Sequence, residues 1–121
     1  MQEEGRKVSR KLDVAIAEAL GYEVYHYNDM MGNYMAKPGS YFGEMLLHYS
    51  TSGADMLELD KEMQARGHGL ELIRYAFAEG KGIWVWEACY NDYYEWSGAG
   101  TEPLARALAA YKALTGKDWQ E

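Results

Sequence analysis

The chain has 121 residues, one Cys and a formal net charge of −7. This length is typical of a single domain, and a hydrophobic content of 48% excludes an intrinsically disordered chain. One Cys excludes an internal disulfide framework, and no run of about 20 apolar residues predicts a membrane-spanning helix. The 19 acids outnumber the 12 Lys and Arg residues and repel phosphodiester backbones, so we expect no nucleic-acid polymer as a partner.

The N-terminal region predicts a helix rather than a leader sequence. Residues 9–20 place apolar side chains at helical spacing, with Ser9 as the predicted cap and Gly21 as the stop. The basic cluster at residues 6–11 indicates a solvated first helical turn. Acids within the Ala-rich segment argue against a signal peptide, so we expect a soluble, cytosolic protein without membrane contact.

A strand, an irregular stretch and a second helix are predicted next. Residues 22–27 alternate as a strand. Residues 28–40 hold several turn dipeptides, and we expect an apolar, Met-containing loop that closes as a lid over a ligand. Residues 41–48 predict a short strand. Residues 52–66 predict a helix in which Ser52 and Asp55 resemble a capping box, and its acids, Asp60 among them, are expected to face solvent.

The second half of the sequence predicts a hairpin, a further strand and a last helix. Residues 70–77 and 83–90 are rich in aromatic and β-branched residues and flank a Gly-containing turn. Residues 93–97 predict another strand, and residues 101–114 predict a helix capped by Thr101. We therefore predict one α+β domain over residues 1–121, a three-layer α/β/α sandwich whose mostly antiparallel sheet is flanked by about three helices.

Three segments resemble the phage ABA sandwich domain family. They are the opening helix LDVAIAEALGY at residues 12–22, the YST entry to the second helix at residues 49–51, and the closing pair WEA at residues 86–88 with TEPLARAL at residues 101–108. The chain departs from the family pattern at Ser52, where Asp is usual, and at Met56 and Leu57, where Trp is frequent. The resemblance implies a phage or prophage origin and an α/β/α sandwich, and it implies no reaction.

No motif in the sequence indicates catalysis. The three His are isolated and one Cys cannot complete a metal cluster, so we expect neither a metal nor a cofactor. Cys89 on an apolar strand face is typical of a small buried hydrophobe. Glu87 on the same face favours an ion pair with a residue such as Arg106, or a place at the sheet edge, over catalysis. The loop at residues 97–101 either cradles a phosphate or is an ordinary helix entry, and Glu102 favours the latter.

The aromatic content is the strongest indication of function. The chain has 11 Tyr, 4 Trp and 2 Phe. Either core packing with solvent-facing Tyr explains this surplus, or the rings line a pocket or a subunit interface. Arg74, in mid-strand, requires an anionic partner, either Glu87 or a ligand phosphate. The predicted ligand-binding residues are Tyr27, Tyr34, Tyr41, Tyr49, Arg74, Trp84, Trp86 and Arg106.

Three functions fit these observations. The first is a small, non-enzymatic phage protein that binds a nucleotide-like molecule, an anti-defence sponge that sequesters an immune signal in the host bacterial cytoplasm. The second is a protein–protein interaction module that binds and inhibits a host protein. The third, an enzyme, lacks a nucleophile and a base at recognisable spacing. We predict the first, as a homodimer or a higher homo-oligomer.

Overall fold

The computed structural model describes residues 2–28, 32–40, 43–78, 83–90 and 98–120 of the chain. Three helices and six strands lie within these ranges. The helices are α1 (Gln2–Ala19), α2 (Gly53–Ala65) and α3 (Glu102–Thr115). The strands are β1 (Glu23–Asn28), β2 (Gly32–Ala36), β3 (Glu44–Met45), β4 (Leu70–Ala78), β5 (Ile83–Tyr90) and β6 (Gly98–Gly100).

The described strands form two antiparallel sheets of three strands each. Sheet A has the order β1-β2-β3, and sheet B has the order β4-β5-β6. Helix α3 packs against β5, β6 and both other helices, and α1 packs against β1. The predicted α+β class, three helices with antiparallel strands packed against helices, is confirmed. The division of the strands into two sheets was not predicted, because alternation identifies the faces of a strand but not its neighbour.

The hydrophobic core lies where the three helices meet both sheets. The fully buried residues of α3 are all alanines. Their small side chains let the neighbouring elements approach the helix closely. Leu104, Leu108 and Tyr111 of the same helix are partly buried and pack against this core. The buried apolar residues of the core are Leu12, Ile16, Ala17, Leu20, Met35, Leu46, Tyr49, Leu59, Met63, Ala88, Tyr90, Ala105, Ala107, Ala109 and Ala110.

Helix α1 begins well before the predicted cap Ser9, which lies inside the helix. The residues ahead of Ser9 contain no proline and several good helix formers, so the helix extends beyond its apolar stripe. The basic cluster is also not uniformly solvated. Arg10 donates hydrogen bonds to the carbonyl oxygens of Leu46 and Leu47, and its guanidinium pairs with Asp13 at 2.8 Å. Arg10 therefore attaches α1 to the segment that follows β3.

The partner of Arg10 is a fully buried carboxylate. Asp13 is 0% exposed, and its second oxygen accepts a hydrogen bond of 2.9 Å from the backbone N–H of Ser50. Burial raises the pKa of the Asp13 carboxyl, while the hydrogen bonds from Ser50 and Arg10 oppose that rise. Asp13 thereby joins α1 to the turn that precedes α2.

The stretch predicted to be irregular at residues 28–40 contains β2, the central strand of sheet A. Backbone pairing with β1 on one side and β3 on the other holds residues 32–36 in sheet A, and the lid interpretation of the whole stretch stays a prediction. The predicted turn that follows β2 is confirmed, with Gly39 at φ 79° and the Ser40 N–H donating to the Lys37 carbonyl. The strand predicted at residues 41–48 is reduced to Glu44–Met45 among the described residues.

The hairpin of β4 and β5 is confirmed, with Ala78 opposite Ile83. The strand predicted at residues 93–97 lies outside the described residues. The stretch predicted to be a loop at residues 97–101 contains β6, whose backbone pairs with β5. Gly100 has a φ of 141° and approaches Leu104 so closely that a Cβ would lie 2.9 Å from its Cδ2. Gly98–Gly100 therefore forms a paired strand and not a loop that cradles a phosphate.

The helix caps follow the sequence closely. Ser52 caps α2 and accepts a hydrogen bond of 3.3 Å from the Asp55 N–H, and Thr101 caps α3 in the same way. The capping box at α2 is only half made, because the Asp55 carboxylate accepts a hydrogen bond of 2.7 Å from the His48 N–H. Gly116 ends α3 in the left-handed conformation, at φ 75°.

Candidate functional site

Two clefts open beside the end of α1 and share two wall residues. The α-side cleft has a volume of about 390 Å³, and the β-side cleft has a volume of about 490 Å³. Tyr22 and Lys37 line both clefts, which therefore form one feature with two lobes, the Tyr22 groove. The α-side lobe also contains Leu20, Gly21, Pro38, Glu62, Ala65 and Arg66. The β-side lobe also contains Met35, Ala36, Ser40, Gly43 and Glu44.

The groove forms where the ends of several elements meet. Helix α1 ends before Gly21, whose φ of 97° turns the chain so that Tyr22 leads into β1. Lys37 follows the last residue of β2, and Arg66 is the C-cap of α2. Each of these residues occupies an ordinary position after a helix or strand, and packing of the elements brings them together.

Two residues that line the α-side lobe form an ion pair. The Arg66 guanidinium pairs with the Glu62 carboxylate at 2.7 Å and donates a second hydrogen bond to the Leu20 carbonyl oxygen. The Tyr22 hydroxyl donates to the Glu62 carboxylate at 3.2 Å. The charge of Arg66 is therefore neutralised by a neighbour, and the Tyr22 ring is held in one orientation.

The remaining charged residues of the groove are Lys37 and Glu44. Both are exposed. Among the described residues, none forms a hydrogen bond or an ion pair with the Lys37 ammonium group, and none donates to the Glu44 carboxylate. Lys37 is thus the lining cation whose charge is available to a ligand, and it lies at the junction of the two lobes.

The Tyr22 hydroxyl remains protonated at neutral pH. Burial raises its pKa, and the nearby Glu62 and Glu44 carboxylates raise it further. Tyr22 therefore donates a hydrogen bond and offers a ring face. Neither cleft is lined by a His or a Cys among the described residues, so the arrangement is suited to binding through a cation, two carboxylates and an aromatic ring.

Half of the predicted binding residues have side chains outside the described part of the structure. Tyr41 is not described, and only the backbones of Tyr27, Arg74 and Trp84 are placed, in β1, β4 and β5. The register of sheet B sets Arg74 directly opposite Glu87. This pair is one of the two alternatives that the sequence left open for the anionic partner of Arg74.

The two described tyrosines of the prediction lie on different sides of sheet A. Tyr34 is half-buried and stacks on Tyr25, with ring centroids 6.0 Å apart and an interplanar angle of 13°. Tyr49 is 1% exposed, and its hydroxyl donates to the Met35 sulfur at 3.7 Å. Burial raises the pKa of the Tyr49 hydroxyl strongly. Tyr49 is a core residue here, while Tyr34 belongs to an exposed face.

Trp86 lies in β5 of sheet B, and Arg106 lies in α3. The Trp86 ring is tilted against Tyr75, with centroids 5.2 Å apart. Arg106 pairs with Asp60 of α2 and with Glu102 of its own helix, so it is not the partner that one of the two alternatives for Glu87 named. Asp60 also accepts a hydrogen bond from the Tyr90 hydroxyl, and its predicted solvent-facing position is corrected as well.

The structure does not gather the four described predicted residues into one site. It assembles instead a groove whose key residues, Tyr22, Lys37 and Arg66, the sequence reasoning missed. The available signal was positional: each of the three follows the end of a helix or strand, and element ends are where binding residues concentrate. That signal alone does not say which ends meet.

Comparisons with known proteins found no match to this chain. No protein-family model, no curated protein and no solved structure matches the chain. The resemblance to phage ABA sandwich domains stays a prediction. Among the described residues, no helix has the length and apolar character to cross a bilayer, and no three His, Cys, Asp or Glu side chains form a group able to hold a metal ion.

Proposed function

We propose that this protein is a non-enzymatic binding protein that holds a small, anionic, nucleotide-type ligand in the Tyr22 groove. One observation carries the proposal: Tyr22 and Lys37 form a wall common to two adjoining clefts. Each cleft has a volume within the range of about 300–1,000 Å³ that is usual for small-molecule sites. A fixed aromatic ring beside an available cation matches the two features of a nucleotide, its planar base and its phosphate.

The polar groups support binding rather than turnover. Glu62 holds Tyr22 and Arg66 in place, so the α-side wall is organised before a ligand arrives, which lowers the entropic cost of binding. The groove's carboxylates accept hydrogen bonds from sugar hydroxyls or base amino groups. The resemblance to phage proteins gives the proposal its context, an anti-defence sponge that removes a nucleotide immune signal from the host cytoplasm.

A thermal-shift screen tests the proposal with cyclic dinucleotides, cyclic trinucleotides and ADP-ribose derivatives as probes. Ligand at about one hundred times its Kd stabilises the fold by roughly 2.7 kcal/mol, which raises Tm by several degrees in a domain of this size. Recovery of the unchanged probe after denaturation supports a sponge, and recovery of an altered probe shows an enzyme. No shift with any probe would contradict a nucleotide-type ligand.

The matched variants are Lys37→Gln and Lys117→Gln. Both remove one exposed ammonium group, and only Lys37 lines the groove. We expect Lys37→Gln to weaken binding of a phosphate-containing probe at least tenfold, and Lys117→Gln to leave the Kd unchanged. Equal losses in both variants would indicate a general charge effect instead of a site.

A second candidate function, binding to a host protein, is favoured by an exposed face of sheet A. Tyr25, Tyr34 and Met45 lie opposite one another on three neighbouring strands. Tyr25 is 44% exposed and Met45 is 56% exposed. We call these three residues the Tyr25 face. Aromatic residues and Met are enriched at protein interfaces.

The two functions make different demands on variants. Met45→Ser alters the Tyr25 face and no residue that lines the groove, so it should leave nucleotide binding unchanged and weaken a protein complex. Lys37→Gln should do the reverse. The predicted homodimer or higher homo-oligomer belongs to this proposal too, and sedimentation velocity of the full chain with and without ligand would show it.

A further inference from the structure

The shape and the charge of the Tyr22 groove limit the ligand more narrowly than the proposed function does. The two lobes have similar volumes, and both are reached from the position of Tyr22 and Lys37. A ligand that fills the groove therefore has two parts, one in each lobe, joined at that position.

The uncompensated charges of the groove lie at this junction and in the β-side lobe. Lys37, the available cation, lies at the junction, while Glu62 belongs to the α-side lobe and Glu44 to the β-side lobe. The Glu62 carboxylate is already paired with Arg66 at 2.7 Å in its own lobe, whereas no described residue donates to the Glu44 carboxylate. An anionic group is therefore stabilised near Lys37 and repelled by Glu44 where it extends into the β-side lobe.

The lobes themselves suit neutral groups that donate hydrogen bonds. No described residue donates a hydrogen bond to the Glu44 carboxylate. An amino group or a sugar hydroxyl of a ligand can make this hydrogen bond. Exposed apolar surface is present in the α-side lobe from Pro38, while Met35 and Ala36 line the β-side lobe as almost fully buried residues. Tyr22 lines both lobes.

We propose that the groove binds a ligand made of two neutral nucleoside or sugar units joined by an internal phosphate bridge, with the bridge at Lys37 and one unit in each lobe. This inference rests on the proposed function and adds two exclusions. A mononucleotide fills one lobe only and loses the gain that comes from linking two binding units. A ligand whose terminal phosphate enters the β-side lobe brings negative charge close to the Glu44 carboxylate.

Isothermal titration calorimetry of the full chain tests this class with five probes. These are the dinucleoside monophosphate ApA, the same molecule with a 5′-terminal phosphate (pApA), ADP-ribose, AMP and inorganic phosphate. We expect ApA and ADP-ribose to bind at least tenfold more tightly than AMP, pApA to bind more weakly than ApA, and inorganic phosphate to give no measurable heat.

The variant Glu44→Gln separates the charge argument from the shape argument. Removing the carboxylate of the β-side lobe should bring the affinity for pApA at least fivefold closer to that for ApA. The control variant Glu58→Gln removes an exposed carboxylate of α2 that lines neither lobe. It should leave the ratio of the two affinities unchanged, and the melting temperatures of both variants report whether the fold is intact.

The outcomes distinguish this inference from the proposed function. Equal affinities for ApA, ADP-ribose and AMP would overturn the two-part ligand and leave a nucleotide site intact. An unchanged ratio of pApA to ApA affinity in Glu44→Gln would overturn the assigned position of the bridge. Absence of binding by every probe would overturn both the two-part ligand and the proposed function.

Discussion

At the scale of single residues, Asp13 shows how this fold accommodates a buried charged group. Asp13 is fully buried, and two hydrogen-bonding partners keep its carboxylate within the fold. Burial nevertheless dominates and raises the pKa of the carboxyl. Replacing an ionised group of this kind affects stability in a pH-dependent way, because the folded and unfolded chains bind its proton at different pH values.

We predict that Asp13 makes stability fall as pH rises. The folded pKa lies above the ordinary value of 3.8, so between these two values the folded state binds more protons than the unfolded state. The stabilisation from this group is greatest below 3.8 and is lost as pH rises through the folded pKa. Relative to Asp13→Asn, the wild type should therefore gain free energy of unfolding as pH is lowered through this window.

Urea unfolding of both proteins across a pH series measures the difference. Asp118→Asn serves as the control, because its carboxylate lies at the surface with a side chain 74% exposed. If the wild type differs from Asp13→Asn by the same amount at every pH, the pKa argument for Asp13 is wrong.

At the scale of helices and strands, capping side chains near the ends set where some of the elements begin and end. The N-caps of α2 and α3 were both predicted from the sequence, because a cap depends on atoms within three or four residues. Helix α1 differs, since its start lies ahead of the apolar stripe that identified it. Element β2 also differs, since its turn residues hid a strand that two neighbours stabilise.

The cap of α2 gives a prediction at this scale. Ser52→Ala should lower the free energy of unfolding by about 1 kcal/mol, because the Asp55 N–H loses its acceptor. Thr51→Ala, at the adjacent exposed position, should change it by less than about 0.5 kcal/mol. Urea unfolding at constant m-value measures both. A similar cost in the two variants would show that Ser52 does not act as the cap.

The whole molecule is held together by polar ties between distant elements. Asp60 of α2 accepts hydrogen bonds from Arg106 of α3 and from Tyr90 of β5, so one carboxylate connects both helices to sheet B. Burial and this hydrogen bond raise the pKa of the Tyr90 hydroxyl strongly. The side chains of Arg106 and Asp60 are only 12% and 17% exposed. Loss of either partner therefore leaves a poorly solvated charge.

We predict that Asp60→Ala destabilises the fold by about 2 kcal/mol, less than a fully buried pair costs, because Glu102 still pairs with Arg106. The double variant Asp60→Ala/Arg106→Met should cost less than the sum of the single variants, since it leaves no unpaired cation. Glu58→Ala, which breaks an exposed pair with Lys61, should cost less than about 1 kcal/mol. Additive costs for Asp60 and Arg106 would contradict a direct tie.

The sequence by itself determined the fold class, the hairpin of β4 and β5, the caps of α2 and α3, and the acidic net charge. These properties depend on composition or on neighbours within a few residues. The tertiary structure alone decided the division into two sheets, the pairing of Asp60 with Arg106 and the assembly of the Tyr22 groove. Tyr22, Lys37 and Arg66 follow three different elements, and their distance in space depends on how α1, sheet A and α2 pack, which no local pattern records.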